Sequence, residues 1–282
     1  MAKSKFFEAV KLFDNVTLIA GLAGEQCYLI EGSDKALLID GLTGVGSLKA
    51  FVRELTDLPV QMVNTHGHVD HCGANYEYGE CLIHPADIRL MYDHGDPVRR
   101  MDFVRAASMG RASAATPTME DVIPPRPIKT FPVYDGDLIE LGGVTLEVIG
   151  VPGHTFGTIV LLDRARRIVY SGDACNVNTL LFLPGSATIE EYREALLHFK
   201  SFQPAFDVMY GGHGKDPVPN TIIDEAIELC DEIMAGTDDQ VEGASIGRPC
   251  LYAKKKDDYF RRLDGKLANI AYSKDNIWKK KA

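Results

Sequence analysis

The run Asn64-Thr65-His66-Gly67-His68-Val69-Asp70-His71 packs three imidazoles and a carboxylate into six residues. Histidine and carboxylate are the standard nitrogen and oxygen donors for zinc and its first-row neighbours. Desolvating so many polar groups together is very costly without a cation to satisfy them. The run therefore marks a metal site, not a core. A short loop leaving the predicted strand Val60 to Asn64 lets His66 and His68 point to one side while Asp70 and His71 turn toward a neighbouring point. Two metals fit that arrangement better than one.

Three further candidates stand downstream: His154 in Val151-Pro152-Gly153-His154-Thr155, Asp173 in Tyr170-Ser171-Gly172-Asp173, and His213 in Gly211-Gly212-His213-Gly214. A lone loop histidine is more often hydrogen-bonded or surface-facing than a ligand. These three share a context that changes the reading: each follows an apolar strand (Leu146 to Ile149, Ile168 to Tyr170, Val208 to Tyr210) and sits beside glycines that let backbone crowd an ion. His84, His94 and His198 lack that setting and read as structural or solvent-facing. Cys72 and Cys175 adjoin candidate ligands but read as small buried hydrophobes outside the ligand set.

Five ordered elements carry a resemblance to the metallo-β-lactamase superfamily over roughly residues 14 to 236. They are Leu37-Leu38-Ile39-Asp40-Gly41, the His66 to His71 run, Pro152-Gly153-His154-Thr155-Phe156-Gly157, Ser171-Gly172-Asp173 and Gly211-Gly212-His213-Gly214. The resemblance implies an α/β fold, a four-layer αββα sandwich with metals at one edge of the two sheets. It implies that His66, His68 and His154 hold one metal, that Asp70, His71 and His213 hold a second, and that Asp173 bridges them. Asp40 matches the aspartate that supports the ligand loop from behind. Aspartate at 173, where antibiotic-degrading members carry cysteine or serine, points away from a β-lactamase. His68, where flavodiiron relatives carry glutamate, points to hydrolysis. The combination is similar to the glyoxalase II, lactonase and RNase Z branches, although Asn176 replaces the lactonase tyrosine.

The expected chemistry is hydrolysis by a metal-bridging hydroxide, its pKa lowered toward about 7 by two divalent ions about 3.5 to 4 Å apart. Asp70 orients the hydroxide and shuttles its proton. A small-molecule carboxylic ester, thioester or lactone is the leading substrate class. Zinc is the expected cofactor, with manganese or iron as alternatives. The rival readings are a mononuclear iron dioxygenase using His66, His154 and Asp173, and a phosphodiesterase or nuclease.

Composition adds limits. A chain of 282 residues, 45% hydrophobic, can bury a large core. Its net charge of -10 argues against a broad phosphate-binding surface, and so against a nucleic-acid partner. Lys254-Lys255-Lys256 and Lys279-Lys280-Lys281 read as solvated charge. Residues Met1 to Glu8 lack an apolar h-region and no later stretch suffices to span a bilayer, so a cytoplasmic protein without a membrane partner is expected. The six cysteines show no paired or zinc-ribbon spacing, which fits reduced thiols.

Strands are predicted at Val16 to Ala20, Cys27 to Glu31, Ala36 to Ile39, Leu138 to Leu141, Thr145 to Ile149, Thr158 to Leu162 and Ile168 to Tyr170. Leu48, Phe51, Val52 and Leu55 share a helical face, Thr188 with Glu191 forms a capping box, and another helix runs from Thr221 to Met234. The expected organisation is a catalytic domain over 1–236 and a C-terminal hairpin extension over 237–282, turning at Asp264-Gly265 and able to cover the cleft or pair in a homodimer. Within the domain, residues 85–132 read as a helical and Pro-rich insertion, a candidate lid. Its Met91, Met101, Met109 and Met119 are candidates for an apolar pocket, for the segment's own core or for a dimer contact, and its Arg99, Arg100, Arg105 and Arg111 read as a solvated helix face ahead of a site for a substrate carboxylate.

Overall fold

The computed structural model describes residues 2–108, 116–214 and 216–280. The chain divides into two compact units, Met1–Val148 with Gly212–Lys215, and Ile149–Gly211 with Asp216–Ala282.

The first unit is built on an eight-stranded sheet whose spatial order follows the chain: β1 (Ala2–Lys3), β2 (Glu8–Phe13), β3 (Val16–Ala20), β4 (Gln26–Glu31), β5 (Ala36–Ile39), β6 (Val60–Val63), β7 (Glu80–Ile83) and β8 (Lys129–Pro132). The first five strands form an antiparallel meander, and β5 through β8 pair in parallel. Parallel pairing requires crossovers, and helix α1 (Leu48–Arg53) supplies the one from β5 to β6. Ser47 caps α1 by accepting the Ala50 N–H, and Leu48, Phe51 and Val52 bury its inner face at about 1.5–3 kcal/mol each. A short helix α2 (Asn75–Tyr78) precedes β7. The hairpin of β9 (Leu138–Glu140) and β10 (Thr145–Gly150) leads into the second unit.

Residues 85–132 hold α3 (Ile88–Asp93) and α4 (Pro97–Ser108), but their last four residues are β8 of the main sheet. Proline hid this strand from sequence reasoning. Pro132 is tolerated because β8 closes the edge of the sheet, where a missing N–H costs nothing to the ladder. Met91 is buried in the main core of this unit, and Met101 packs with Val45, Val104 and Val122, whereas Met119 is exposed. Arg99 and Arg105 lie on the exposed helix face. Arg100 departs from that expectation. It is buried over the Tyr76 ring, with its guanidinium donating to the carbonyls of Gly44 and Ile123, which ties α4 to the segment after β5. Met109 and Arg111 lie outside the described residues.

In the second unit β11 (Ile159–Asp163) and β12 (Ile168–Gly172) are antiparallel. A separate four-stranded sheet contains β13 (Thr179–Leu181). Helix α5 (Ile189–Lys200) opens with the expected Thr188/Glu191 capping box and buries Ile189, Tyr192, Leu196 and Phe199. Strand β14 (Val208–Gly211) pairs in parallel with β12, and β15 (Val218–Pro219) pairs with β14. Helix α6 (Ile222–Ala235) contributes Ile222, Ile223, Ala226, Leu229, Cys230 and Ile233 to the same core as α5. The four-stranded sheet is completed by β16 (Val241–Ser245), β17 (Arg248–Tyr252) and β18 (Ile270–Tyr272), in the order β13-β18-β17-β16. The C-terminal hairpin thus turns at Ile246 and Gly247, both at positive φ, rather than at Asp264-Gly265. Asp264 is instead held by Arg262 in an irregular segment between β17 and β18.

Candidate metal centre

In the first unit the ligand run is held from behind by a buried carboxylate. Asp40 ends β5 at φ +67, a left-handed conformation that only the short polar side chains adopt readily outside glycine. Its Oδ1 accepts the Thr65 N–H at 2.8 Å, and its Oδ2 accepts both the Thr65 hydroxyl and His71 Nδ1–H, each at 2.8 Å. Asn64 donates its amide to the His71 carbonyl at 2.8 Å and is itself held by Asn75 at 2.7 Å. From the opposite side Asp87 accepts the Gly67 N–H at 2.7 Å. A Cβ at position 67 would lie 2.7 Å from the Asp87 carbonyl oxygen, so only glycine fits between His66 and His68.

These bonds decide which ring nitrogens remain as lone-pair donors. His71 Nδ1 faces a carboxylate and carries the proton of the neutral ring, which leaves Nε2 unprotonated. Thr65 spends its hydroxyl proton on Asp40, so its oxygen accepts from His66 Nδ1 at 3.1 Å, and His66 Nε2 is unprotonated too. His66 and His68 stand edge to face with ring centroids 4.9 Å apart. Asp70 Oδ2 lies 3.1 Å from His213 Nε2 and 3.7 Å from His71 Nε2, and the ligand atoms of these three residues fall within 4.8 Å of one another. His213 reaches the run because the start of β4 grips its loop: Glu25 and His213 form an antiparallel bridge, and Gln26 donates its N–H to the Gly212 carbonyl at 2.8 Å. A proton can sit between one imidazole and one carboxylate. A divalent cation satisfies two imidazoles and the carboxylate at once, so the donor set fits such an ion.

In the second unit His154 Nδ1–H donates to the Leu180 carbonyl at 2.9 Å, which again leaves Nε2 unprotonated in the neutral ring, and that nitrogen lies 3.6 Å from Asp173 Oδ2. Ser186 fixes the His154 carbonyl at 2.9 Å, and the Tyr192 ring fills the space a side chain at Gly153 would need. Asp173 follows Gly172 at φ +48 directly after β12. All seven expected ligands are buried except His213, whose side chain is 39% exposed.

Burial pushes the Cys72 and Cys175 thiols up, that of Cys175 to about 12, which suits buried hydrophobes rather than thiolate ligands. Cys72 donates to the His66 carbonyl, a structural contact. His84 caps a turn and His198 is exposed, as expected. His94 is different: its ring stacks on His68 with centroids 5.2 Å apart, and burial, aided by Arg99, pushes it down to about 4. Sequence reasoning missed His94, Asp87 and Glu25. Burial pushes the Glu25 carboxyl up to about 7 and Asp70 adds to the rise, while its own backbone N–H, His213 and Thr43 oppose it. None of the three stands in a motif, and only the folded chain brings them to the ligand run.

The sequence profile of the metallo-beta-lactamase superfamily matches residues 20–213, and the chain belongs to that superfamily. Among characterised relatives, the acyl-coenzyme A thioesterase MBLAC2 of Bos taurus is 31% identical over 183 residues, covering 56% of this chain and 61% of that protein. The Homo sapiens counterpart is 30% identical over the same length and the same shares. The chain thus spans about three-fifths of the length of these relatives. Of solved structures, the metallo-beta-lactamase family protein TTHA1429 of Thermus thermophilus aligns with TM-score 0.52 at 21% identity, over 82% of this chain and 79% of that one. The fold is therefore the metallo-β-lactamase fold, as expected, and the MBLAC2 relatives are named as thioesterases rather than β-lactamases. Among the described residues no helix is long and apolar enough to cross a membrane.

Proposed function

We propose that the chain is a metal-dependent hydrolase of thioesters. His66, His68 and His154 serve one divalent ion, Asp70, His71 and His213 a second, and Asp173 both, following the pattern of the superfamily. The observation that carries this reading is the fixed protonation of the imidazoles: Asp40, Thr65 and Leu180 take the Nδ1 protons of His71, His66 and His154 and leave three Nε2 lone pairs for a cation. The Asp70–His71–His213 group favours a filled second site over the mononuclear dioxygenase reading, which leaves that group without a purpose.

Divalent ions held there supply a water acidic enough to be a nucleophile near neutral pH and a Lewis acid for the scissile carbonyl. The protein's own part is orientation and proton transfer. Asp70 accepts a proton from the attacking water, the new carbon–oxygen bond forms, the carbon–sulfur bond breaks, and the leaving thiolate takes up the proton that Asp70 holds. Asp40 and Thr65 keep the imidazole planes from turning, which keeps the reacting groups aligned at no further entropic cost. The MBLAC2 relatives support an acyl-coenzyme A thioester as the substrate class within the ester, thioester and lactone range.

The test is a panel of acyl-coenzyme A thioesters, aryl esters and lactones, read by free-thiol release or by acid release. The thioesters should turn over with the highest kcat/KM, and chelation should abolish the activity. Turnover confined to lactones or to phosphodiesters would refute the thioester reading.

A further inference from the structure

Beside the group of Asp70, His71 and His213 lies a carboxyl that the proposed chemistry does not use. Glu25 is fully buried immediately before β4. Its Oε1 accepts the Thr43 hydroxyl at 3.1 Å, while its Oε2 is buried with no hydrogen-bond partner among the described residues. The backbone is shaped around it, since a Cβ at Gly21 would collide with Oε1 and lie 2.6 Å from the carboxyl carbon. Its main chain bridges His213, and the next residue, Gln26, holds both sides of the His213 loop through the carbonyls of Gly212 and Gly214.

A buried carboxyl with an unsatisfied oxygen is costly, and sites of this kind persist where positive charge offsets them. The bridged group, His213, becomes positive when it is protonated or when its lone pair is given to a metal. We infer that Glu25 is a positioning residue for His213, a buried carboxylate that strengthens cation binding at the Asp70–His71–His213 group without itself being a ligand. This rests on the binuclear reading above. Glu25 works through two links. The β4 clamp sets where the His213 backbone stands, and the carboxylate makes the surroundings of that imidazole favourable to added positive charge. His213 needs the help most, because it is the one half-exposed member of the set.

The test is calorimetric zinc titration of metal-free wild type, Glu25→Gln and Glu25→Asp, with the melting temperature of each metal-free protein measured alongside. Wild type should show two binding events. Glu25→Gln should keep one of them and weaken the other about 10–100-fold, the range expected when an outer partner of a ligand is lost. Glu25→Asp, which keeps the charge, should narrow that loss, and it keeps the test open if the glutamine variant does not fold. The metal-free Glu25→Gln protein should melt close to wild type, because the amide keeps the size of the carboxyl and an acceptor for the Thr43 hydroxyl. Two events of unchanged affinity in Glu25→Gln would overturn the inference alone. So would an equal weakening of both events accompanied by a lower melting temperature, which is the mark of a merely structural role. Fewer than two events in wild type would overturn the binuclear reading itself, and the inference with it.

Discussion

Replacing Asp40 with Asn isolates the hydrogen bonds that set the imidazoles. Asparagine tolerates φ +67 as well as aspartate does, so the backbone has no reason to move. Its amide, however, accepts on one side only, whereas Asp40 accepts one donor at Oδ1 and two at Oδ2. Whichever way the amide turns, an NH2 group faces a protein donor, and either one bond or two are lost in a site where Asp40 is 2% exposed. At about 1.5–3 kcal/mol per hydrogen bond to a charged acceptor, the metal-free protein should lose about 1.5–6 kcal/mol in urea unfolding. If the NH2 faces His71, that ring must present Nδ1 as acceptor and move its proton to Nε2, the nitrogen 3.7 Å from Asp70. Zinc affinity should then fall about 10–100-fold. A variant with wild-type stability and wild-type zinc affinity would refute the claim that Asp40 fixes the tautomers.

Changing Asp173 to Ala should abolish hydrolysis while circular dichroism and the melting temperature stay near wild type, since Asp173 makes its ion pair with another expected ligand, His154; unchanged turnover would contradict the bridging role. Asp87→Asn should destabilise the protein by about 1–3 kcal/mol by weakening the acceptor for the Gly67 N–H, and should lower zinc affinity as well, because that bond pins the backbone between His66 and His68; loss of stability with metal binding intact would detach the insertion from the site. His94→Phe should keep zinc binding and kcat close to wild type, whereas His94→Ala should reduce both, if stacking on His68 is what His94 contributes; equal loss in the two variants would point to its ring nitrogens instead. Free zinc at about a hundred times its dissociation constant should stabilise the folded protein by about 2.7 kcal/mol per site over the chelated form, read as a rise in melting temperature.

Much of this arrangement is legible in the sequence because its signals are local. The His66 to His71 run, the glycines around His154, Asp173 and His213, and the apolar strands before them each lie within a few consecutive residues. The supporting groups are less legible. Asp40 is recognisable through a resemblance, but its three hydrogen bonds to Thr65 and His71 come from a loop that starts 25 residues away. Asp87 and His94 belong to a stretch that reads as an independent lid, yet in the fold they brace the ligand loop and stack on His68. Residues 85–132 thus support the ligand loop directly. Met101 is core packing, and Arg100 is a buried tie rather than a solvated charge. Periodicity marks faces of helices and strands, but it carries no information about which distant polar side chain closes a hydrogen bond. The same limit explains β8, whose Pro132 and the prolines before it resemble a linker, and the hairpin at Ile246-Gly247, where a β-branched residue at positive φ conceals the turn.

The central claim is that seven side chains hold a pair of divalent ions that hydrolysis depends on. The most direct measurement is elemental analysis of the purified protein, paired with thioester turnover before chelation, after it, and after metal is restored. The account predicts roughly two divalent ions per chain, because seven ligands exceed what one tetrahedral ion uses, with activity lost and regained in step with the metal. A single iron per chain, with the second site still empty after zinc or manganese is added, would contradict it.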